Sequence, residues 1–160
     1  MILIGAWKKT KIVDLVPGKV CTIKGKISAS SKLSIPSSKT SCVYYEMLEE
    51  RFGKGARGTG RALWFPDRME SKSVEFSVSD DSGTVQIRES GPQFSVKGAH
   101  QESGAPKGSR KRRFFASFLQ PGDVVVIRGL VNAAAKSEGY FISAPPNAVL
   151  KVKVSHRFAG

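Results

Sequence analysis

The chain has 160 residues, 40% of them hydrophobic, enough to bury one real core and hardly two. Lys+Arg 26 against Asp+Glu 13 leaves a net charge of +13, well past what solubility needs, and this favours polyanionic surroundings: nucleic acid, an anionic lipid surface or an acidic protein partner. Two cysteines without a CxxC exclude a disulfide-scaffolded mini-protein, and no apolar run approaches the roughly 18 residues that cross a bilayer.

Residues 1–11 stand apart from the rest. Met1-Ile-Leu-Ile-Gly-Ala-Trp7 followed by Lys8, Lys9 and Lys11 has the make-up of a helix leaving a bilayer: apolar residues, an interfacial Trp, then cations that reach headgroups. Seven residues span nothing. The segment therefore reads either as an apolar start packed on the domain or as the end of a membrane anchor, with Trp7, Lys8, Lys9 and Lys11 as its interface candidates.

Residues 12–156 read as one β-rich domain. In Val20 to Ile27, Cys21, Ile23 and Ile27 share one face and Thr22, Lys24 and Lys26 the other, which predicts a half-buried strand. Cys42 to Phe52 predicts a long strand with Tyr44 and Tyr45 on opposite faces. Val74, Phe76 and Val78 alternate with Ser73, Glu75 and Ser77, and Val85 and Ile87 with Thr84, Gln86 and Arg88; Asp80-Asp81-Ser82-Gly83 between them is a hairpin connection. Val124 to Ile127, introduced by the turn Pro121-Gly122-Asp123, is apolar on both faces and predicts a central strand. Leu150, Val152 and Val154, alternating with Lys151 and Lys153, close the series. Helix is expected only over Phe114 to Leu119 and near Val13.

Two basic stretches interrupt the pattern and read as mobile loops near 53–61 and 96–113. The first carries Arg51, Lys54, Arg57 and Arg61 ahead of Trp64-Phe65. The second ends in Lys107, Arg110, Lys111, Arg112 and Arg113, directly before Phe114-Phe115. Cations beside aromatics suit phosphate contact with ring stacking or insertion, and also suit a merely solvated surface. If the two loops converge, they make one cationic face. Many short strands with turn punctuation and little helix predict a mostly β, small antiparallel, OB-like, partly open barrel with long basic loops.

Three blocks, Ile35-Pro-Ser-Ser-Lys-Thr-Ser-Cys-Val-Tyr-Tyr-Glu46, Phe76-Ser-Val-Ser-Asp-Asp-Ser-Gly-Thr-Val-Gln-Ile87 and Leu119-Gln-Pro-Gly-Asp-Val-Val-Val-Ile-Arg-Gly129, together resemble the GIDE, or beside-a-membrane (BAM), domain. That domain lies between the transmembrane helices of mitochondrial E3 ubiquitin ligases of its family and occurs in membrane-linked prokaryotic proteins without the ligase part. The likeness runs from about Gly18 to Gly129, and its weight lies in the order of the blocks, since each alone is a common β-turn phrase. A RING holds two zincs with eight Cys/His ligands, whereas this chain has Cys21, Cys42, His100 and His156 in total. The resemblance thus implies a non-catalytic module beside a membrane, on its cytoplasmic side, and carries over no catalytic residue.

Other motifs fail on context. Gly53-x-Gly55-x-x-Gly58 spells a dinucleotide fingerprint, but Thr59 to Asp67 with Trp64-Phe65-Pro66 is not the helix that would face a pyrophosphate. Asp80 to Gly83 lacks the spacing of a calcium loop, and His100 and His156 read as surface histidines without a catalytic partner. No cofactor and no metal site is expected. Two classes remain: an interaction module on an anionic membrane face or acidic protein, and an OB-type nucleic-acid binder, whose weakness is the lack of an aromatic array on the strand faces.

Overall fold

The computed structural model describes residues 8–54, 61–106, 110–134 and 139–159. In chain order its strands are β1 (Val20–Ser28), β2 (Leu33–Ser34), β3 (Ser41–Cys42), β4 (Tyr44–Gly53), β5 (Leu63–Ser73), β6 (Phe76–Ser79), β7 (Thr84–Ile87), β8 (Phe94–Lys97), β9 (His100–Gly104), β10 (Arg112–Leu119), β11 (Val124–Ala133), β12 (Tyr140–Ser143) and β13 (Leu150–His156).

Five of them close a mixed barrel in the order β1-β6-β7-β12-β11-β1. Within the ring only β7 and β12 pair in parallel; the other neighbours around it are antiparallel. This is the strand order of an OB-like barrel, and it is closed by the β1–β11 ladder rather than partly open. Closure depends on Gly25: a Cβ there would lie 2.4 Å from the Ser79 carbonyl oxygen, so only glycine lets β1 turn from β11 onto β6. Ile23, Ile27, Val78, Ile87, Val125, Ile127 and Ile142 fill the interior, as the period-2 reading requires.

β13 and β8 extend the barrel sheet beyond β11, and the other long strands form an arm. The β4–β5 hairpin enters between β1 and β6, and β9 with β10 enters between β7 and β11; together they make a second antiparallel sheet, β5-β4-β10-β9. The arm has a small core of its own from Ile35, Cys42, Tyr45, Met47, Phe114, Ala116 and Phe118. Two cores thus stand where the chain length suggested one.

Several expectations are corrected here. Phe114 to Leu119 is strand, not helix, because its alternate residues Phe114, Ala116 and Phe118 face the arm core while Phe115 and Ser117 face away. Near Val13 there is a single 3-10 turn, Ile12–Asp14. The segment 96–113 is not one loop: it contains the end of β8, all of β9 and the start of β10. Residues 55–60 of the other expected loop lie outside the described residues. Thr22 shares the face of Lys24 and Lys26 as expected but is buried on it, its hydroxyl accepting from Nη1 of its cross-strand partner Arg128 at 3.1 Å. His100 is no free surface histidine: its ring stacks on Phe118 at 5.0 Å and its Nε2 sits 2.7 Å from Asp123 Oδ1. His156 is exposed, at the end of β13.

Asp123 ties barrel, arm and C-terminal segment together. Fully buried, it accepts from the Gln120 N–H at 2.9 Å and the Phe158 N–H at 2.7 Å, besides meeting His100. The turn before it places Gly122 at φ +96°, against the Phe158 ring. At the other end of β6, Asp80 accepts from the backbone N–H groups of Ile12, Ser82 and Gly83 and from the Ser82 hydroxyl. Burial pushes its carboxyl up, but these bonds, with the Ser82 hydroxyl foremost, outweigh burial and hold it below the ordinary aspartate range. Asp80 therefore docks Ile12 and Leu15 onto the barrel core.

Replacing Asp123 by Ala strands two backbone donors and the His100 ring in a dry site, and should cost about 3 kcal/mol or more in urea unfolding with the slope unchanged. Because the Asp80 carboxyl is depressed in the folded state, its contribution is complete above the ordinary aspartate pKa and is lost as pH falls through the folded value. Asp80→Asn should accordingly lower the melting temperature at neutral pH and flatten its decline on acidification, as followed by circular dichroism.

Candidate functional site

The arm's outer face is built in rows, because residues paired across an antiparallel sheet point the same way. Nearest the barrel, Ser71, Glu46, Ser117 and Gln101 form a polar row. Next come Met69, Leu48, Phe115 and Ser103 in register. Met69 is 74% exposed and Phe115 44%, and the row lines a depression of about 380 Å³. Beyond it a bulge between Glu49 and Glu50 shifts the register, and Glu50 pairs with Arg113. At the tip, Phe52 faces Trp64, their rings 5.3 Å apart, and the adjoining Leu63, paired with Gly53, lies on the opposite face.

Arg113 joins these rows. Its Nε donates to Glu50 Oε1 at 2.7 Å, and its guanidinium lies 4.1 Å from the Trp64 ring centre and 5.2 Å from that of Phe115. The planar cation is neutralised by one carboxylate while its faces serve two rings from different strands. Arg112 points to the opposite face and meets Asp67 at 3.5 Å, and Arg51 lies over Phe65 at 5.6 Å.

The two basic stretches do converge. Arg51 pairs with Arg112, and the Phe52 N–H donates to the Lys111 carbonyl at 2.7 Å. Lys54, Arg61, Arg110 and Lys111, all exposed, continue from these strand ends, so the arm tip gathers Arg51, Lys54, Arg61, Arg110, Lys111, Arg112 and Arg113. Arg57, Lys107 and Trp7 lie outside the described residues. Lys8, Lys9 and Lys11 do not join the tip. They flank Thr10, whose N–H donates to the Thr22 carbonyl at 2.7 Å, and they precede Ile12 beside the β6–β7 turn. The arm instead reaches the barrel at the Phe76 end of β6, where Tyr44 and Phe76 flank Phe94 at 4.9 and 6.2 Å.

Sequence reasoning missed Glu50, Leu48, Met69 and Phe52; it named Phe115 beside the cations but not the sheet face that Phe115 occupies. The usable signal was period-2 alternation through Arg113, Phe115 and Ser117, which the helical reading of 114–119 concealed.

Among the described residues no group of three or more His, Cys, Asp or Glu could hold a metal ion, and no helix is long and apolar enough to cross a membrane. Cys21 and Cys42 are free and buried. Burial raises both thiols; Cys42 is pushed up to about 12, burial first and the Glu102 carboxylate second. Comparison with protein-family models, with curated proteins and with solved structures gave no match.

Thiols so buried and so weakly acidic should stay inert. With Ellman's reagent at pH 8 the folded chain should release far less than one equivalent over minutes, and two equivalents once unfolded.

Proposed function

We propose that the chain is a non-catalytic, GIDE-like interaction module that works beside a membrane on its cytoplasmic side, with the arm tip engaging the anionic surface of the bilayer. The observation that carries this reading is the gathering of seven cations around exposed Phe52 and Leu63 and half-buried Trp64 at one end of the arm. Cations draw such a surface to anionic headgroups, while aromatic and aliphatic side chains gain by entering the interfacial zone. The net charge of +13 acts in the same direction. The resemblance to the beside-a-membrane domain is compatible with this role, and the chain's four Cys and His residues fall short of a RING's ligand set.

A nucleic-acid reading has one observation in its favour: Phe52, Trp64 and Phe115 share a sheet face with Arg113. A stacking platform, however, needs open ring faces, and Arg113 already lies over both Trp64 and Phe115. Leu63, 55% exposed, and Met69 offer no ring at all, yet both suit a lipid interface.

Sedimentation with vesicles tests the choice. The chain should pellet with phosphatidylserine-containing vesicles and not with neutral phosphatidylcholine vesicles, and Arg110→Gln and Lys111→Gln should each cost about 1 kcal/mol of that binding. Binding to single-stranded oligonucleotides that persists at physiological salt and loses about 1–3 kcal/mol on Phe115→Ala would favour the nucleic-acid reading instead.

A further inference from the structure

The exposed apolar groups do not stop at the tip. Along the outer face, Met69, Leu48 and Phe115 form one row and Phe52 and Trp64 another, and between them the only charged row is the Glu50–Arg113 pair. That pair is internally neutral, and the Glu50 side chain is 14% exposed. Arg113 spans the gap by lying over Phe115 on one side and Trp64 on the other. The outcome is an apolar strip of exposed Met69, Phe115 and Phe52 with half-buried Leu48 and Trp64, crossed by one internally neutral ion pair and bounded toward the barrel by the polar row of Ser71, Glu46, Ser117 and Gln101. Isolated exposed apolar residues are ordinary, but a contiguous strip of this kind marks a surface that meets something apolar. At its far end the strip runs into the cation cluster of the tip, and that continuity fixes the chemistry of the occupant: apolar matter under a negatively charged rim, which is the interfacial zone of an anionic bilayer.

We infer that the outer face of the arm sheet lies flat on the bilayer, with Met69, Leu48, Phe115, Trp64 and Phe52 entering the interface and Arg113, neutralised by Glu50, holding them in one plane. This rests on the membrane reading above and adds an orientation to it: the arm lies down on the surface, rather than touching it end-on with the tip, and the barrel wall carrying Lys24 stays in water. Arg113 is then a positioning residue, not a headgroup ligand. The headgroups are met by Arg110, Lys111, Lys54 and Arg61 around the rim.

The test places an environment-sensitive fluorophore at Met69→Cys and, separately, at Lys24→Cys, both exposed positions in a chain whose own two cysteines are buried. Each labelled chain is mixed with phosphatidylserine-containing vesicles carrying brominated acyl chains. The probe at position 69 should shift to the blue and be quenched, and the probe at position 24 should do neither. Met69→Asp should weaken vesicle binding by about tenfold or more without changing the melting transition, since it replaces an inserted apolar group with an anion. Arg113→Lys keeps the charge but not the planar guanidinium over two rings and should weaken binding, whereas Arg110→Lys should not; equal binding by the two variants would overturn the positioning role of Arg113. Vesicle binding with the probe at 69 still in water, or with quenching at 24, overturns the orientation while leaving the membrane reading intact. Failure of the unmodified chain to bind vesicles at all overturns both.

Discussion

The architecture turns on the point where the chain leaves the barrel, at four consecutive residues that serve two cores. Val43 and Tyr44 are buried in the barrel core, Cys42 and Tyr45 in the arm core. In an extended strand successive side chains point to opposite sides, so burying both tyrosines fixes the rotation of the arm sheet relative to the barrel within narrow limits. Tyr44 is anchored against Phe94, and Tyr45 donates its hydroxyl to Glu70 on the neighbouring strand. A slip of one residue would put Tyr44 on the arm and expose its whole inner row. Because the inner row is pinned in this way, the alternate row of Leu48, Glu50 and Phe52 has no choice but to face out.

That constraint links packing to charge. The outward row and its partners on β5 and β10 would be a liability on an ordinary surface, and the chain tolerates them beside a dense set of cations. Glu50 and Asp67 neutralise Arg113 and Arg112, which leaves those two guanidinium groups to organise the tip. The remaining cations keep their long-range field. On the proposed reading, attraction to headgroups and burial of apolar rings fall to neighbouring but different side chains, an arrangement suited to a headgroup layer over hydrocarbon. The buried Asp123 keeps the arm in place from the far side, through His100 on β9.

Much of the fold was legible in the residues. The alternations in 20–27, 74–78, 84–88 and 150–154, together with the Asp80 to Gly83 turn, sufficed for a small OB-like barrel, since each strand buries one face only. What escaped was the arm beyond its Cys42 to Phe52 strand. Phe114 to Leu119 mixes Ala and Ser with aromatics, so its short apolar run fits a helix as well as a strand, and only pairing with β4 decides. Once 96–113 is taken for a loop, the strand β9 that pairs with β10 disappears, and His100 with it. The two basic stretches were legible and their convergence was left open; the sheet face that joins them to Leu48, Met69 and Phe115 depends on register, which no local pattern states. The burial of Thr22 likewise depends on Arg128, a cross-strand partner 106 residues away in sequence.

The most direct measurement is amide NMR of the unmodified chain with nanodiscs of phosphatidylserine and phosphatidylcholine containing a trace of gadolinium-chelating lipid. Paramagnetic broadening should concentrate at 48–52, 63–69 and 111–115, with the barrel strands 20–28 and 150–156 little affected. Broadening centred on the barrel strands, or spread evenly over arm and barrel, would contradict the assignment of membrane contact to the arm.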